Sequence, residues 1–257
     1  MSITGATAKQ FARSKSLPPT SRDIASIQAP PVTFDPDKDQ AWVLGPQIFS
    51  FVQGVTAARR DMISTSALFA SLAADYEAKR SDWKAWFKSY SNSLTHLGWV
   101  LQDTTSRSFD HEHTGSKVHQ AVLEFVAALG VVGTAAGIVT AALNAMQKVD
   151  DNKPWITLFD RQTQSENLTG FQVGLVDQQA DAAFQVKLMS FSLKLTQTNT
   201  QILFVDFATL GVHMDAIGSV FTVSDAVMGE ALPVLKERLK SYVSSYVREI
   251  PLPPPQQ

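Results

Sequence analysis

A chain of 257 residues with 44% apolar and 18% charged side chains can bury a substantial core and does not have the composition of a disordered polymer. Its formal net charge of −2 offers no concentrated basic surface for phosphate backbones, so no nucleic-acid partner is expected. The absence of cysteine excludes disulfides, thiolate metal sites, cysteine nucleophiles and lipid attachment through sulfur.

Residues 1–40 are rich in Ser, Thr, Pro and Ala and read as a flexible arm ahead of a single domain over 41–250. The N-terminus has no apolar stretch of the secretory kind. Export would therefore need a signal-independent route, and the compartment stays open.

Helical signals start near Pro46. From Arg59 to Arg80 there is no Gly or Pro, and Met62, Ile63, Leu68, Phe69 and Leu72 fall largely on one side. Ser81 reads as the N-cap of the next helix, with Asp82 in its first turn. That helix carries Trp83, Trp86, Phe87, Tyr90, Leu94 and Leu97 at helical spacing. Trp83, Trp86, Phe87 and Tyr90 are candidates for the wall of a ligand pocket, although core packing is the commoner use of such a stripe. Gly98 and Trp99 end or bend it.

Residues 104–115 read as a polar loop. Within SFDHEHTGSKVH, the side chains of Asp110, His111, Glu112, His113 and His119 have metal-ligating chemistry. The spacing is not that of H-E-x-x-H. A solvated loop is the simpler reading, and histidines titrating near pH 6 to 7 would suit a pH switch equally well.

From Phe125 to Gln147 the chain carries no charge. As one helix it would be roughly 34 Å long, enough for a hydrocarbon core of about 30 Å. Phe125, Gly130, Gly133, Gly137 and Ala141 mark a packing or membrane segment. The small residues form a track along which another backbone would come close. Ala and Gly dominate, no aromatic belt sits inside its ends, and its flanks lack basic bias. A central Ala/Gly-rich helix, buried all round, is therefore expected, with membrane entry as a second state.

After Pro154 the composition shifts to β-branched and aromatic residues. WITLF (155–159), GFQVGLV (170–176), AFQVKLMSFSLKLT (183–196) and QILFVDF (201–207) suggest an antiparallel meander of three or four strands. The alternation in the third flips phase near Met189 and Ser190, as a bulge would produce. TQTNT (196–200) would turn this strand into QILFVDF. Asp206, His213 and Asp215 are a weaker acid–base candidate. Leu235, Leu239, Tyr242, Val243, Tyr246, Val247 and Ile250 recur at helical spacing, giving a C-terminal amphipathic helix. Residues 251–257 form a Pro-rich tail. Helices, then strands, then helix indicate an α+β fold.

The runs WFKSYSNSLTHLGWVLQ (86–102), the Ala/Gly segment, GFQVG (170–174) and SYVSSYVREI (241–250) resemble a group of bacterial and fungal proteins related to the Erwinia virulence factor that promotes persistence in the insect gut. That resemblance would cover most of residues 45–250 and implies an α/β protein with a fatty acyl anchor on cysteine. This chain has no cysteine, so the anchor does not carry over, and no functional residue transfers. There is no nucleophile elbow and no phosphate loop, and no cofactor is implied. The expected function is non-enzymatic and toxin- or virulence-like, acting at a host membrane through residues 125–147. The alternative is a soluble module that binds lipid or another small molecule in an apolar pocket between sheet and helices.

Overall fold

A computed structural model of the chain describes residues 3–19, 32–79, 81–109, 117–147, 164–165, 168–177, 185–194, 202–204 and 213–252. Everything is organised around strands that are apolar on both faces. The first hairpin pairs β1 (Gln40–Leu44) with β2 (Gln47–Phe51) through Gly45 and Pro46, with Gly45 at φ 62°. That turn needs a positive φ, which glycine adopts without strain. Helix α2 (Ala57–Glu77) therefore starts after this hairpin, not near Pro46. Thr56 caps it, Oγ accepting from the Arg59 N–H at 3.3 Å.

Asp82, not Ser81, caps α3 (Trp83–His96), its Oδ1 accepting from Ala85 N–H at 3.0 Å. Gly98, at φ 92°, ends that turn, and the chain enters β3 (Trp99–Phe109). Residues 104–109, expected in a loop, thus continue a strand; 110–115 lie outside the described residues. Helices α4 (Val118–Ala128) and α5 (Gly133–Gln147) follow, then β4 (Gln164–Ser165), β5 (Leu168–Asp177) and β6 (Gln185–Lys194). A 3₁₀ turn at Ile202–Phe204 stands where QILFVDF was expected to be a strand. The remainder of that segment and WITLF lie outside the described residues. Strand β7 (His213–Val223), helix α6 (Asp225–Tyr246) and β8 (Val247–Ile250) complete the order. Val247 and Ile250, expected on the helix, belong to β8.

The expected short meander is instead one mixed sheet in the order β3-β7-β6-β5-β2-β1-β8, with β4 added on β5. β2 runs parallel to β5 and the other pairs are antiparallel. Helices α4 and α5 cover one face, over Phe171, Val173, Leu175, Met189, Phe191 and Leu193. Helices α1 (Gly5–Ser14), α2, α3 and α6 cover the other, over Trp42, Phe49, Phe51, Val186 and Leu188. This explains the phase flip in β6 without a bulge. Val186 and Leu188 point to one layer, while Met189, Phe191 and Leu193 point to the other, and the register with β5 and β7 stays continuous.

The expected flexible arm contains α1. Thr4 caps it with a reciprocal Thr4–Thr7 pair, and it docks on α6, where Arg238 donates to Ala12 O at 2.7 Å.

Two glycines of β5 make room for rings on the face of the second layer, one from α3 and one from the neighbouring strand β2. A Cβ at Gly170 would lie 2.3 Å from the Trp83 ring, and one at Gly174 would lie 2.4 Å from the Phe49 ring. Both rings are buried, so neither side chain has free space to yield into. Gly174→Ala should destabilise the protein by about 1–3 kcal/mol, read by urea denaturation, because it overpacks a filled core. Phe49→Leu in the same chain should recover part of the loss. A full-strength Gly174→Ala variant would show that the Phe49 ring of β2 yields more easily than its packing implies.

Candidate functional site

The uncharged segment is not one helix. After Ala128 the Gly130 N–H donates to Ala127 O at 2.9 Å and the Val131 N–H to Val126 O at 3.3 Å. With Gly130 at φ 69°, this is a Schellman stop, sealed by the buried pair Val126 and Val131. Gly133, at φ 62°, then lets the chain turn into α5. The signature was legible as Gly130 followed by apolar Val131. The glycine track masked it, because the same residues also suit close helix packing.

The hairpin α4–α5 buries one side and exposes the other. Val118, Ala121, Val122, Phe125 and Val126 of α4, and Ile138, Val139, Ala142, Leu143 and Met146 of α5, face the core. Phe125 makes edge contacts with Phe109 and Phe191, at centroid distances of 6.4 and 5.8 Å. The outer side carries Ala127, Gly130, Val132, Gly133, Thr134, Gly137 and Asn144, all exposed. Val132 at the turn is 74% exposed. The expected burial all round is therefore corrected. So is the glycine track, since a Cβ at Gly130, Gly133 or Gly137 would meet nothing within 4 Å. Ala141 is half-buried.

Polar ties between this layer and the sheet are peripheral. Lys187 Nζ donates to Leu129 O at 3.3 Å and to Gly130 O at 3.4 Å, at the C-terminus of α4. Arg107 pairs with Glu124 at 2.6 Å on the surface. Among the described residues, α5 makes no side-chain hydrogen bond or ion pair to the sheet. The opposite layer differs. Tyr90 Oη donates to Gln47 Oε1 at 2.9 Å, Trp99 Nε1 to Ser66 Oγ at 3.1 Å, and Gln47 Nε2 to Ala67 O at 3.2 Å, all buried.

Trp83, Trp86 and Tyr90 form a buried stack, with neighbouring centroids 4.7 and 5.4 Å apart. Phe87 joins it against Tyr90 at 6.5 Å. Trp86 Nε1 donates to Asp75 Oδ1 at 2.8 Å. Burial pushes the Tyr90 hydroxyl well above its ordinary value. The structure brings the four aromatics together as core packing against the sheet. An open groove of about 420 Å³ lies elsewhere, between α2 and α6. Val32, Phe34, Leu68, Leu239, Val243 and Val247 line it, with Asp61, Lys236 and Lys240 also contributing.

Of the polar candidates, Asp110, His111, Glu112, His113 and Asp206 lie outside the described residues. Among the described residues no group of three or more ligating side chains could hold a metal. His213 Nε2 lies 3.2 Å from Asp215 Oδ1, and Ser108 Oγ donates to the same oxygen at 2.6 Å. Burial pushes the Asp215 carboxyl up, but the Ser108 hydrogen bond and His213 outweigh it and hold it below its ordinary value. Both groups converge on the carboxylate. The serine hydroxyl is not bonded to the imidazole, so this trio lacks the nucleophile–base link of a hydrolytic triad.

His119 is buried at the start of α4. Its Nδ1 lies 3.2 Å from Leu203 O, an acceptor only, so Nδ1 carries the hydrogen. Its ring packs on Phe204 at 5.2 Å.

No protein-family model matches the chain, and no curated protein does. Among the solved structures with a weak likeness to it are the following three. The Evf virulence factor is 15% identical over 74% of this chain and 72% of its own, with a TM-score of 0.35. Activated Cyt2Ba monomer from Bacillus thuringiensis subsp. israelensis is 16% identical over 54% of this chain and 80% of its own, with a TM-score of 0.35. A delta-endotoxin is 12% identical over 81% of this chain and 91% of its own, with a TM-score of 0.43.

Desolvation lowers the His119 pKa below its ordinary 6.5, outweighing the Leu203 bond, and Lys117 adds to the lowering. The folded state therefore binds this proton less readily than the unfolded state. The neutral ring's contribution is complete above about pH 6.5 and is lost as the pH falls from there through the lowered folded value. His119→Phe should make the melting temperature fall less between pH 7 and pH 5 than it does in the wild type. An identical pH dependence in the two proteins would remove His119 from the anchoring of α4.

Proposed function

We propose that the chain is a non-enzymatic, toxin-like protein that acts at membranes, with the α4–α5 hairpin as its membrane-facing element. One observation carries this reading. The turn and the outer face of α5 are uncharged, with an exposed apolar residue at the turn and Glu124 of α4 as the exposed charge, paired with Arg107, while apolar burial supplies most of the hairpin's attachment to the sheet. Burial of each large apolar side chain stabilises by about 1.5–3 kcal/mol and does not require a specific partner. Acyl chains can therefore replace the sheet without breaking a buried hydrogen bond of α5. Among the described residues no helix is long and apolar enough to cross a membrane. At roughly 16 Å and 22 Å, α4 and α5 are both shorter than a hydrocarbon core. The reading is thus interfacial contact beginning at the Gly130–Gly133 turn, not a single spanning helix.

Leakage of a trapped dye from phospholipid vesicles tests it. The wild type should bind and release dye at some pH between 4 and 8. Val132→Asp and Gly137→Asp should each reduce release by about tenfold or more, since a carboxylate on the contacting face must give up hydration to enter the apolar part of the interface. Both positions are exposed, so folding should be little affected. Wild-type protein that neither binds nor leaks vesicles across this range would sink the proposal.

The groove between α2 and α6 favours a second reading, the binding of an anionic amphiphile. Its apolar lining suits an acyl chain, and Lys240 would meet the head group. Native mass spectrometry with added fatty acid should show one adduct, lost in Lys240→Glu. A bare polypeptide mass at every fatty-acid concentration would eliminate this reading.

A further inference from the structure

Strand β3 is an open edge of the sheet. It pairs with β7 on one side and has no strand on the other among the described residues. Its nine residues from Val100 to Ser108 are all exposed, on both faces, including Val100 at 53% and Leu101 at 51%. Long exposed edges of this kind recruit further strands unless something guards them. A register shift between Leu101 and Asp103 protects only the first part. From Asp103 to Phe109 the ladder with β7 is regular.

The sequence of the regular part, Asp103-Thr104-Thr105-Ser106-Arg107, is complementary to itself when reversed. Antiparallel pairing of two copies about Thr105 places Asp103 of each opposite Arg107 of the other. Thr104 then faces Ser106, and Thr105 faces Thr105. Opposite charges directly across a ladder stabilise the pair, and Thr and Ser pairs do so too. Shifting the centre to Thr104 or Ser106 loses the charge match.

The backbone permits this register. The Thr104 N–H donates to Asp103 Oδ1 at 2.8 Å, a partner outside the β7 ladder, as suits an N–H on the open edge. Alternation along an antiparallel strand then places Ser106 on the same side. The two outward residues face each other in the register centred on Thr105, so each copy can exchange N–H and C=O with the other. Asp103 would release the Thr104 N–H and take Arg107 of the second copy. Arg107 now pairs with Glu124 across an exposed gap, with side chains 41% and 47% exposed. An exposed pair of this kind competes weakly.

We propose that β3 is a self-association edge, at which a second copy of this chain adds its own β3 antiparallel about Thr105. The partner is fixed by the self-complementary charges, because an arbitrary strand would leave Asp103 or Arg107 opposite the wrong group.

The cysteine-free chain makes the register directly readable. At the centre of a non-hydrogen-bonded pair the Cα atoms approach to about 4.5 Å, within disulfide range. Under mild oxidation Thr105→Cys should therefore cross-link into covalent dimers, and Asp103→Cys and Arg107→Cys should do so far less. Sedimentation of the full-length wild type between about 1 µM and 1 mM should show a concentration-dependent dimer. Asp103→Arg should weaken that dimer about tenfold or more, because symmetry counts the altered pair twice, and the Asp103→Arg/Arg107→Asp double variant should restore it. Unchanged circular dichroism in each variant would show that the fold is intact. A monomer throughout this range, a dimer indifferent to Asp103→Arg, or cross-linking that peaks away from residue 105 would overturn the proposal.

Discussion

The structure depends on a conflict inside β5 that its sequence resolves by alternation. A central strand must bury both faces, yet two broad aromatic rings, Trp83 of α3 and Phe49 of the neighbouring strand β2, lie across one of them. Phe171, Val173 and Leu175 fill the face toward α4 and α5. Gly170 and Gly174 leave the other face bare so that Trp83 and Phe49 can lie against the backbone. Between the glycines Gln172 Nε2 donates to Ser190 Oγ at 3.0 Å, while the Gln172 backbone N–H donates to Pro46 O. Through β5 the antiparallel group β6-β7-β3 joins the β2-β1-β8 group by the parallel β2 pairing. A residue with a Cβ at either glycine would push against rings that have no empty space beside them.

The two helical layers are held in different ways. On one side, buried polar contacts position helices as well as covering the sheet. Arg60 is fully buried and donates to Val55 O, Lys38 O and Val52 O and to Gln40 Oε1, at 2.8 to 2.9 Å. It thereby ties the start of α2 to both ends of the first hairpin. Breaking such contacts leaves charges and donors unsatisfied in a dry interior, which makes that layer specific and rigid. On the other side, apolar contact supplies the bulk of the adhesion. Apolar contact is large but indifferent to partner, so the same free energy is available in another apolar medium.

Much of this was legible from local pattern. The Trp83–Tyr90 stripe, the glycine stop at Gly98, strands β5 and β6 and the amphipathic face of α6 all follow from spacing. What local pattern missed has particular causes. The β1–β2 hairpin reads weakly because its five-residue strands are buried on both faces and show no alternation. β3 reads as loop because an exposed edge strand rich in Ser, Thr and charge has no apolar face at all. The β6 phase flip mimics a bulge because two different layers claim successive parts of one strand. The glycines of the uncharged segment were found, but their role was inverted: Gly130 and Gly133 stop and turn the chain, and Gly137 faces outward. The candidate ligand wall of Trp83, Trp86, Phe87 and Tyr90 packs in the core, the commoner use of such a stripe, since spacing alone places aromatics on one side but cannot say what lies opposite.

The inner side of the hairpin limits how a membrane could engage it. Lifting α4 and α5 completely would expose their own apolar faces and also Phe171, Val173, Leu175, Met189, Phe191 and Leu193 on the sheet. Lipid that solvated the helices alone would leave the sheet face in water, at an unfavourable 20 to 33 cal/mol per Å² on the usual scale. Full separation is therefore favourable only if the exposed sheet face is also covered. Contact through the outer face needs no such compensation. Its small uncharged residues lose no ion hydration on entering the interface, and Val132 at the turn is already apolar and exposed. The energetic order is thus surface contact at the turn first, with opening of the layer dependent on a second apolar cover for the sheet.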